Sequence, residues 1–291
     1  MNKKISLRIG VSTRALFKLE KENTMLYEKG LKEYIKYNKK HEDKILEQGT
    51  AFRIVKNVLA LNEYDDVDVQ VILMSRACPE IATRVLKSID YYGLQIEEAY
   101  FTGGDSLTKY VANSQLDLYL STNEDDVKAV SECGIASGLI NPNSTNCSND
   151  TKGLRVAFDC DRVLFGSESD DFYESHTLEE YVDYEISKAS EPIGDGLFKN
   201  LLIKLGKIQE KYGQSDENPI KIAICTARNY KVHERCLNTL NSWGIRVSQA
   251  FFCAGNNKAI ALEAFNADIF FDDSSKNVKN ASKVVPTCQV L

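Results

Sequence analysis

The chain has 291 residues, of which 36 are Lys or Arg and 42 are Asp or Glu, and its formal net charge is −6. This length predicts about two domains, and 43% hydrophobic with 27% charged residues is the composition of an ordinary globular protein. A mildly acidic chain lacks the positive field that collects phosphate backbones or anionic lipids, so we expect neither a nucleic-acid polymer nor a membrane surface as its partner.

The N-terminal part of the chain alternates strand-like and helical patterns. Apolar runs predict strands over Ser6–Val11 and Val69–Met74, and a long helical pattern lies between them over Glu28–Asn62. Strands that alternate with helices are typical of βαβ units and of a parallel sheet. No apolar run reaches the roughly 18 residues that a membrane span requires, and the N-terminus has no apolar signal segment, so we expect a cytoplasmic protein.

The two halves of the chain resemble each other. Residues 141–153 are rich in Asn, Ser and Thr, which favour turns, and we interpret them as a linker between residues 1–140 and 154–291. A shift of 151 residues aligns Arg84–Lys128 with Arg235–Lys279 without a gap, and nine of the 45 pairs are identical. This match predicts two related α/β halves, and shared βαβ patterning alone is the alternative explanation.

Acidic, hydroxyl and basic side chains follow the strand-like runs of the second half, and the carboxyl ends of strands carry the sites of parallel α/β sheets. In chain order these groups are Asp159 and Asp161 after Leu154–Phe158, Thr226 after Ile220–Cys225, Lys258 after Phe251–Gly255, and Asp272 with Asp273 after Ala267–Phe271. Each group alone is also explained by a turn, a helix cap or an exposed charge. Their shared order along the chain favours a functional site.

This ordered set resembles the haloacid dehalogenase superfamily of aspartyl-phosphate phosphotransferases, which implies an α/β fold with a haloacid dehalogenase-like (Rossmann-like) parallel sheet and flanking helices. A closer similarity, to the cytosolic type I 5′-nucleotidases, runs from about Ile5 to Lys279. The segments that carry it are Val11–Phe17, Thr102–Ser106, Phe158–Phe165 and Ile269–Asp273. That family usually has Gly where Cys160 stands and Pro where Leu107 stands, and neither departure removes a catalytic group.

The resemblance implies a Mg²⁺-dependent hydrolysis that passes through a phosphorylated aspartate. Asp159 would be the nucleophile, and Asp161 would be the general acid and base. Lys258 would offset negative charge, and Thr226 would hold phosphoryl oxygens. The implied Mg²⁺ ligands are the carboxylates of Asp159, Asp272 and Asp273 and the backbone carbonyl of Asp161.

The first half has lost these charged groups. The alignment places Val11 and Thr13 opposite Asp159 and Asp161, Leu107 opposite Lys258, and Ser121 with Thr122 opposite Asp272 and Asp273. We therefore interpret residues 1–140 as a degenerate copy of the catalytic half, residues 154–291, which closes over the site or stabilises it. The predicted substrate ligands are Arg228 and, with pure scaffolding as the alternative, Arg14, Arg76, Gly103, Gly104, Asp105 and Ser106.

A helical insertion is predicted over 166–214, where the superfamily inserts the caps that select the substrate. Apolar residues at helical spacing, such as Leu178 and Tyr181, indicate packing positions there. Phe172, Tyr173 and His176 are candidates for stacking on a base or for contacting a ribose, and exposed aromatic side chains without a ligand are the alternative.

The expected activity is hydrolysis of a nucleoside 5′-monophosphate, such as AMP or a deoxynucleotide, to nucleoside and phosphate. The alternatives are a phosphatase or phosphotransferase that acts on another small phosphomonoester, and a non-catalytic nucleotide-binding regulator. A dinucleotide-dependent dehydrogenase or a P-loop kinase fits worse, because the chain has neither a GxGxxG nor a GxxxxGKS/T motif. The family forms oligomers, so the resemblance implies a homo-oligomer.

Overall fold

The structure of the protein is a computed structural model, and it describes residues 4–145, 153–213 and 218–291. The chain divides into two compact units, an N-terminal unit of Ser6–Pro142 and a C-terminal unit that contains Asn143–Leu291. Residues 146–152, most of the predicted linker, lie outside the described residues, as does Gln214 at the end of the predicted insertion. Within the described ranges, none of the helices combines the length and the apolar character that crossing a membrane would require.

The N-terminal unit is a sheet whose strands lie in the order β3-β2-β1-β4-β5, and the pairs β2/β3, β1/β4 and β4/β5 are parallel. Its strands are β1 Ile5–Val11, β2 Val67–Ser75, β3 Glu98–Phe101, β4 Leu118–Ser121 and β5 Ser137–Ile140. Its helices are α1 Thr13–Leu16, α2 Glu20–Lys40, α3 Phe52–Leu59, α4 Ala82–Tyr91, α5 Thr108–Asn113 and α6 Glu124–Glu132.

The C-terminal unit is a sheet in the order β10-β9-β6-β7-β8, and its four neighbouring pairs are parallel. Its strands are β6 Leu154–Phe158, β7 Ile220–Thr226, β8 Gln249–Phe252, β9 Ile269–Asp272 and β10 Thr287–Gln289. Its helices are α7 Glu168–Ser175, α8 Leu178–Ser187, α9 Lys199–Lys211, α10 His233–Ser242, α11 Ala259–Phe265 and α12 Ser275–Ala281. The α/β class and the parallel sheet predicted from the alternating pattern are confirmed.

The central strands of the C-terminal unit are mostly apolar and buried, as expected for a parallel sheet that is covered on both faces. The rings of Phe158 on β6 and Phe271 on β9 stack with centroids 5.4 Å apart, and Phe198 packs on Phe271 at 4.8 Å. These three side chains have no exposed surface. The core therefore holds the ends of β6 and β9 rigidly, next to the acidic residues that follow them.

The predicted insertion over 166–214 contains three helices with different positions. Only α7 and α8 leave the sheet, whereas α9 packs against β7 and is the crossover helix between β6 and β7. The predicted boundary therefore extends one helix too far, since the helical pattern alone does not distinguish a crossover helix from an insertion.

The helix predicted over Glu28–Asn62 is wrong as a single element. Helix α2 ends at Lys40 and α3 begins at Phe52. Between them the chain returns to α1, where Gln48 forms a bridge with Phe17 and the amide of Gly49 donates to the carbonyl of Leu16 at 2.9 Å. This tertiary contact interrupts a segment whose local pattern favours one helix.

The strand order is the same in the two units, because each sheet places its third, second, first, fourth and fifth strands side by side. Backbone hydrogen bonds identify equivalent residues. The amide of Ser12 donates to the carbonyl of Leu120 at 2.9 Å, and the amide of Asp159 donates to the carbonyl of Phe271 at 2.8 Å. The predicted alignment of Val11 and Thr13 with the two aspartates is therefore wrong by one residue. Ser12 is the counterpart of Asp159.

The error arises at the turn that follows each first strand. In the N-terminal unit the amide of Phe17 donates to the carbonyl of Thr13, four residues earlier. In the C-terminal unit the amide of Phe165 donates to the carbonyl of Cys160, five residues earlier. The π-type turn Cys160–Leu164 thus contains one extra residue, and Arg162 in it has a φ of 58°. A one-residue insertion of this kind leaves no apolar periodicity by which to detect it.

A larger residue at position 196 is expected to destabilise the protein, because Gly196 contacts the backbone of this turn. A Cβ at Gly196 would lie 2.5 Å from the carbonyl oxygens of Val163 and Phe165. Gly196→Ala should lower the free energy of unfolding by about 1–3 kcal/mol, measured by urea denaturation. Gly194→Ala is the matched control, since the nearest atom to its added Cβ is the Glu168 Oε2 at 4.0 Å. Equal losses in the two variants would contradict the close contact.

Candidate active site

The functional groups predicted in the second half meet at one edge of the C-terminal sheet. Strand β6 lies between β7 and β9, so Asp159, Thr226 and Asp272 stand at the carboxyl ends of three adjacent parallel strands. Lys258 precedes α11 and reaches the same place. Residues separated by more than 100 positions in sequence are therefore brought together by sheet topology alone.

Three carboxylates and one ammonium group form the centre of the site. The Nζ of Lys258 lies 2.8 Å from the Oδ2 of Asp159 and 2.7 Å from the Oδ2 of Asp272. Asp159, Asp272 and Asp273 each offer one oxygen, and these oxygens lie within 4.8 Å of one another. Asp159, Asp272 and Lys258 are buried, so this charge is concentrated away from solvent.

Burial changes the ionisation of these groups. Burial raises the pKa of Asp159 to about 7, and the negative charge of Asp272 adds to the effect although Lys258 opposes it. Burial also raises the pKa values of Asp272 and Asp273. For Lys258 burial acts against the charged form, but the carboxylates of Asp159 and Asp272 outweigh it and raise the pKa. The three carboxylates outnumber the one ammonium group, and they therefore repel one another.

The donor set fits a small, hard cation. Asp159, Asp272 and Asp273 supply carboxylate oxygens alone, and a divalent ion among them would offset both the burial and the mutual repulsion that raise their pKa values. The side chain of Asn277 donates to both oxygens of Asp272 at 3.2 Å, which fixes the orientation of that carboxylate. The arrangement can therefore hold a divalent cation at this edge of the sheet.

Asp161 lies beside this centre, and Arg228 binds its carboxylate. The Nε and Nη2 of Arg228 donate to the Oδ2 and Oδ1 of Asp161 at 2.8 Å and 2.6 Å. The remaining nitrogen, Nη1, donates to Glu185 on α8. Such a paired contact fixes the position of a carboxylate more strictly than a single hydrogen bond does.

The contact continues into a buried network that the sequence patterns did not predict. Glu185 also accepts from the Nη1 of Arg235 at 2.9 Å and from the hydroxyl of Ser169 at 2.8 Å. The side chains of Glu185 and Arg228 are 0% and 2% exposed. One signal for Arg235 was present in the sequence, because its identity with Arg84 is part of the repeat, and Arg84 likewise pairs with a buried glutamate, Glu22, at 2.7 Å.

Arg228 was expected to be a substrate ligand, and the structure gives it other partners. Each of its guanidinium nitrogens donates to Asp161 or Glu185, and the residue is 4% exposed. Thr226, two residues earlier, is buried, and its hydroxyl accepts from the backbone amide of Arg228 at 3.2 Å. Cys160, between the two motif aspartates, packs against Cys236 with the sulfur atoms 3.7 Å apart.

The other predicted substrate ligands belong to the N-terminal unit. Arg14, Arg76, Gly103 and Gly104 line a cavity of about 420 Å³ within that unit. Asp105 and Ser106 are exposed in the same loop, where the hydroxyl of Ser106 lies 2.9 Å from that of Thr108.

The aromatic candidates of the insertion pack on one another. The Phe172 ring stacks between His176 and Tyr184, with centroid distances of 3.7 Å and 4.0 Å. Tyr173 is half exposed and meets the edge of Tyr181. Asp170 on α7 was not predicted from the sequence; burial, with the charges of Asp161 and Asp273, raises its pKa to about 6.

Comparison with known proteins adds independent information. A family model described as 5′-nucleotidase matches residues 1–291. Human cytosolic 5′-nucleotidase 1B is 31% identical over 292 residues, which cover 97% of this chain and 48% of that protein, so the chain spans about half the length of this relative. Among solved structures, histidinol dehydrogenase from Elizabethkingia anophelis aligns over 98% of this chain and 52% of its own, with 9% identity and a TM-score of 0.26, a value too low to support any argument.

Proposed function

The chain belongs to the 5′-nucleotidase family, and on that premise we propose that it hydrolyses nucleoside 5′-monophosphates to nucleoside and phosphate. The observation that carries this proposal is the contact of Lys258 with both Asp159 and Asp272 beside Asp273, at the carboxyl ends of β6 and β9. A phosphate dianion is shielded by its own negative oxygens, so a carboxylate nucleophile needs positive charge close by.

Asp159 is proposed as the nucleophile. One of its carboxylate oxygens forms a bond to phosphorus while the bond from phosphorus to the 5′-oxygen breaks, which leaves an aspartyl phosphate and the nucleoside. Lys258 holds the carboxylate in place and offsets charge on the transferring group. Thr226, with the neighbouring amides, donates to the phosphoryl oxygens.

Asp161 is proposed as the group that moves the protons. In its protonated form it gives a proton to the leaving 5′-oxygen, and the resulting carboxylate then takes a proton from the water that attacks the aspartyl phosphate. The second step releases inorganic phosphate and restores Asp159. The first step requires Asp161 to turn from Arg228, which binds it in this structure, towards the leaving oxygen.

Mg²⁺ is the proposed metal, held by Asp159, Asp272, Asp273 and the backbone carbonyl of Asp161. When bound, it neutralises part of the negative charge of the carboxylates and of the phosphate. The three carboxylates provide the oxygen-only donors that this ion prefers.

A substrate panel tests the proposed reaction. Inorganic phosphate release should show the highest kcat/KM with nucleoside 5′-monophosphates, and at least about tenfold lower values with sugar phosphates of similar charge. A sugar phosphate hydrolysed faster than every nucleotide would contradict the substrate assignment. Transfer of phosphate to an added nucleoside, in place of release to water, would identify a phosphotransferase.

Metal removal should abolish this activity and also alter stability. Protein treated with EDTA should lose phosphate release, and Mg²⁺ should restore it. Mg²⁺ in the absence of substrate should raise the Tm, because it binds the folded site alone. Asp273→Asn should reduce both effects, whereas Asp183→Asn, at an exposed position on α8, should change neither. A Tm rise that survives in Asp273→Asn would contradict this ligand set.

We also propose that residues 1–140 and 154–291 descend from one duplicated unit, of which the second kept the catalytic charges. The shared strand order and the equivalent hydrogen bonds of Ser12 and Asp159 support this origin. A cytoplasmic location, a nucleotide as partner and assembly into a homo-oligomer complete the proposal. The name of the human relative supports the location, and size-exclusion chromatography with light scattering tests the assembly.

A further inference from the structure

The N-terminal unit holds a modified counterpart of the catalytic centre. Ser121 accepts from the amide of Asn123 at 3.1 Å, as Asp272 accepts from that of Ser274 at 2.9 Å. The hydroxyl of Ser75 accepts from the amide of Ala77 at 3.0 Å, and the hydroxyl of Thr226 accepts from the amide of Arg228 in the same way. Together with Ser12 opposite Asp159, these bonds show that hydroxyls stand where the C-terminal unit has carboxylates and that the hydroxyl of Thr226 is retained.

This exchange removes the excess of negative charge that the catalytic centre carries. The catalytic centre has three carboxylates beside one ammonium group. The lining of the N-terminal cavity includes two guanidinium groups, Arg14 and Arg76, and one carboxylate, Asp126, which pairs with Arg76. Among the described residues, no carboxylate cluster lines this cavity for a metal ion to bind, whereas an anion meets guanidinium groups and hydroxyl donors.

One of these guanidinium groups, that of Arg14, can donate a further hydrogen bond. Among the residues that the structure describes, the Nε of Arg14 is a buried atom without a hydrogen-bond partner. Its Nη2 reaches the Oε1 of Glu20 only at 3.4 Å. Ser12, Thr13 and Ser75 line the same cavity, and the hydroxyls of Thr13 and Ser75 lie 3.1 Å apart. An unpaired buried donor is costly unless a ligand or a water accepts from it.

The wall formed by α2 is mostly apolar and aromatic, with Asn23 as its one polar lining residue among those described. Leu26, Tyr27, Leu31 and Tyr34 of that helix line the cavity, and Tyr27 and Leu31 are 80% and 53% exposed. Exposed side chains of this size beside a polar floor favour a ligand with a planar or apolar group next to its anion. The volume of about 420 Å³ accommodates a small organic molecule.

We propose that this cavity binds an organic phosphate of nucleoside-monophosphate size without a metal ion. The phosphate lies among the hydroxyls of Ser12, Ser75 and Ser121 and the guanidinium of Arg14, and the ring packs against Tyr27 and Leu31. The N-terminal unit is therefore a ligand-binding unit in its own right. This inference does not depend on the proposed hydrolysis.

Calorimetric titration with AMP in EDTA tests the proposal, since metal removal leaves the catalytic carboxylates to repel the phosphate. We expect one binding site per chain in EDTA. Arg14→Gln should weaken binding at least about tenfold by removing a charged donor. Ser121→Asp should weaken it similarly, because it restores the counterpart carboxylate while keeping an acceptor for the amide of Asn123. Arg246→Gln, an exposed site in the C-terminal unit, is the control and should bind as the wild type does.

The other outcomes overturn the proposal. They are the absence of AMP binding in EDTA, binding that Arg14→Gln and Ser121→Asp both leave unchanged, and binding that requires Mg²⁺ and disappears in Asp273→Asn. Adenosine that binds as tightly as AMP would show that the phosphate is not recognised. Equal Tm values for the variants and the wild type would establish that a loss of binding is not a loss of folding.

Discussion

Asp159→Asn is expected to lower kcat for phosphate release at least about 10³-fold, because the amide keeps the shape of the side chain but provides no nucleophilic oxygen. The Oδ2 of Asp159 is 2.8 Å from Lys258, and Lys258 keeps its contact with Asp272 in the variant. Removing one of three crowded carboxylates leaves the ammonium group paired, so the free energy of unfolding should stay within about 1 kcal/mol of the wild type. Steady-state phosphate release and urea denaturation measure the two quantities.

The matched control for this substitution is Asp183→Asn. It makes the same chemical change at an exposed position of the C-terminal unit and should retain the wild-type kcat. Full turnover by Asp159→Asn would remove Asp159 from the reaction, whereas a wild-type chain that binds nucleotides without releasing phosphate would favour a nucleotide-binding regulator. Trapping of a covalent phosphate on the wild-type chain, and its absence from Asp159→Asn, would provide direct evidence for the aspartyl phosphate.

Arg228→Met is expected to have the largest effect on stability. Methionine retains much of the side-chain volume, but the substitution removes the only charge that pairs with Asp161 among the ion pairs of the described residues. Glu185 keeps Arg235 as a charged partner and Ser169 as a neutral donor. Loss of one partner from a buried ionic contact typically costs about 3–5 kcal/mol, and we expect a loss of that order in the free energy of unfolding. Arg162→Met is the control, because Arg162 is 36% exposed and its loss should cost at most about 1 kcal/mol.

Kinetics of the same variants separate two roles for Arg228. If Arg228 positions Asp161, Arg228→Met should lower kcat with little change in KM, and Arg228→Lys should recover part of kcat. A substrate ligand would instead give a higher KM and an unchanged free energy of unfolding. The double variant Arg228→Met/Asp161→Asn should regain part of the lost stability, since it also removes the carboxylate that Arg228→Met leaves unpaired.

The elements and the chemical groups of the C-terminal unit were predictable from local sequence. Strand β6 was predicted with the observed bounds, and Asp159, Thr226, Lys258 and Asp272 follow apolar runs that proved to be strands or their immediate loops. A buried strand must be apolar on both faces, and polar groups that follow it therefore stand out in the sequence. The resemblance to a known family depended on those same residues.

Segments shaped by distant contacts were predicted less well. The helix predicted over Glu28–Asn62 is interrupted because Gln48 and Gly49 bind the end of α1, more than 30 residues away. The alignment of Thr13 with Asp161 failed because the turn after β6 has one extra residue. Neither feature changes the local pattern of apolar and polar residues, so pattern reading has no means of detecting it.

By itself, the sequence determined the α/β class, several of the strands and the residues that carry the proposed chemistry, since hydrophobic periodicity and residue type are local properties. Only the tertiary structure determined which of these residues touch. It joined Arg228 to Asp161 across 67 positions and to Glu185 across 43, and it placed Ser12 where the C-terminal unit has Asp159. Hydrogen bonds between distant residues depend on how the chain folds back on itself, and a linear pattern does not encode them.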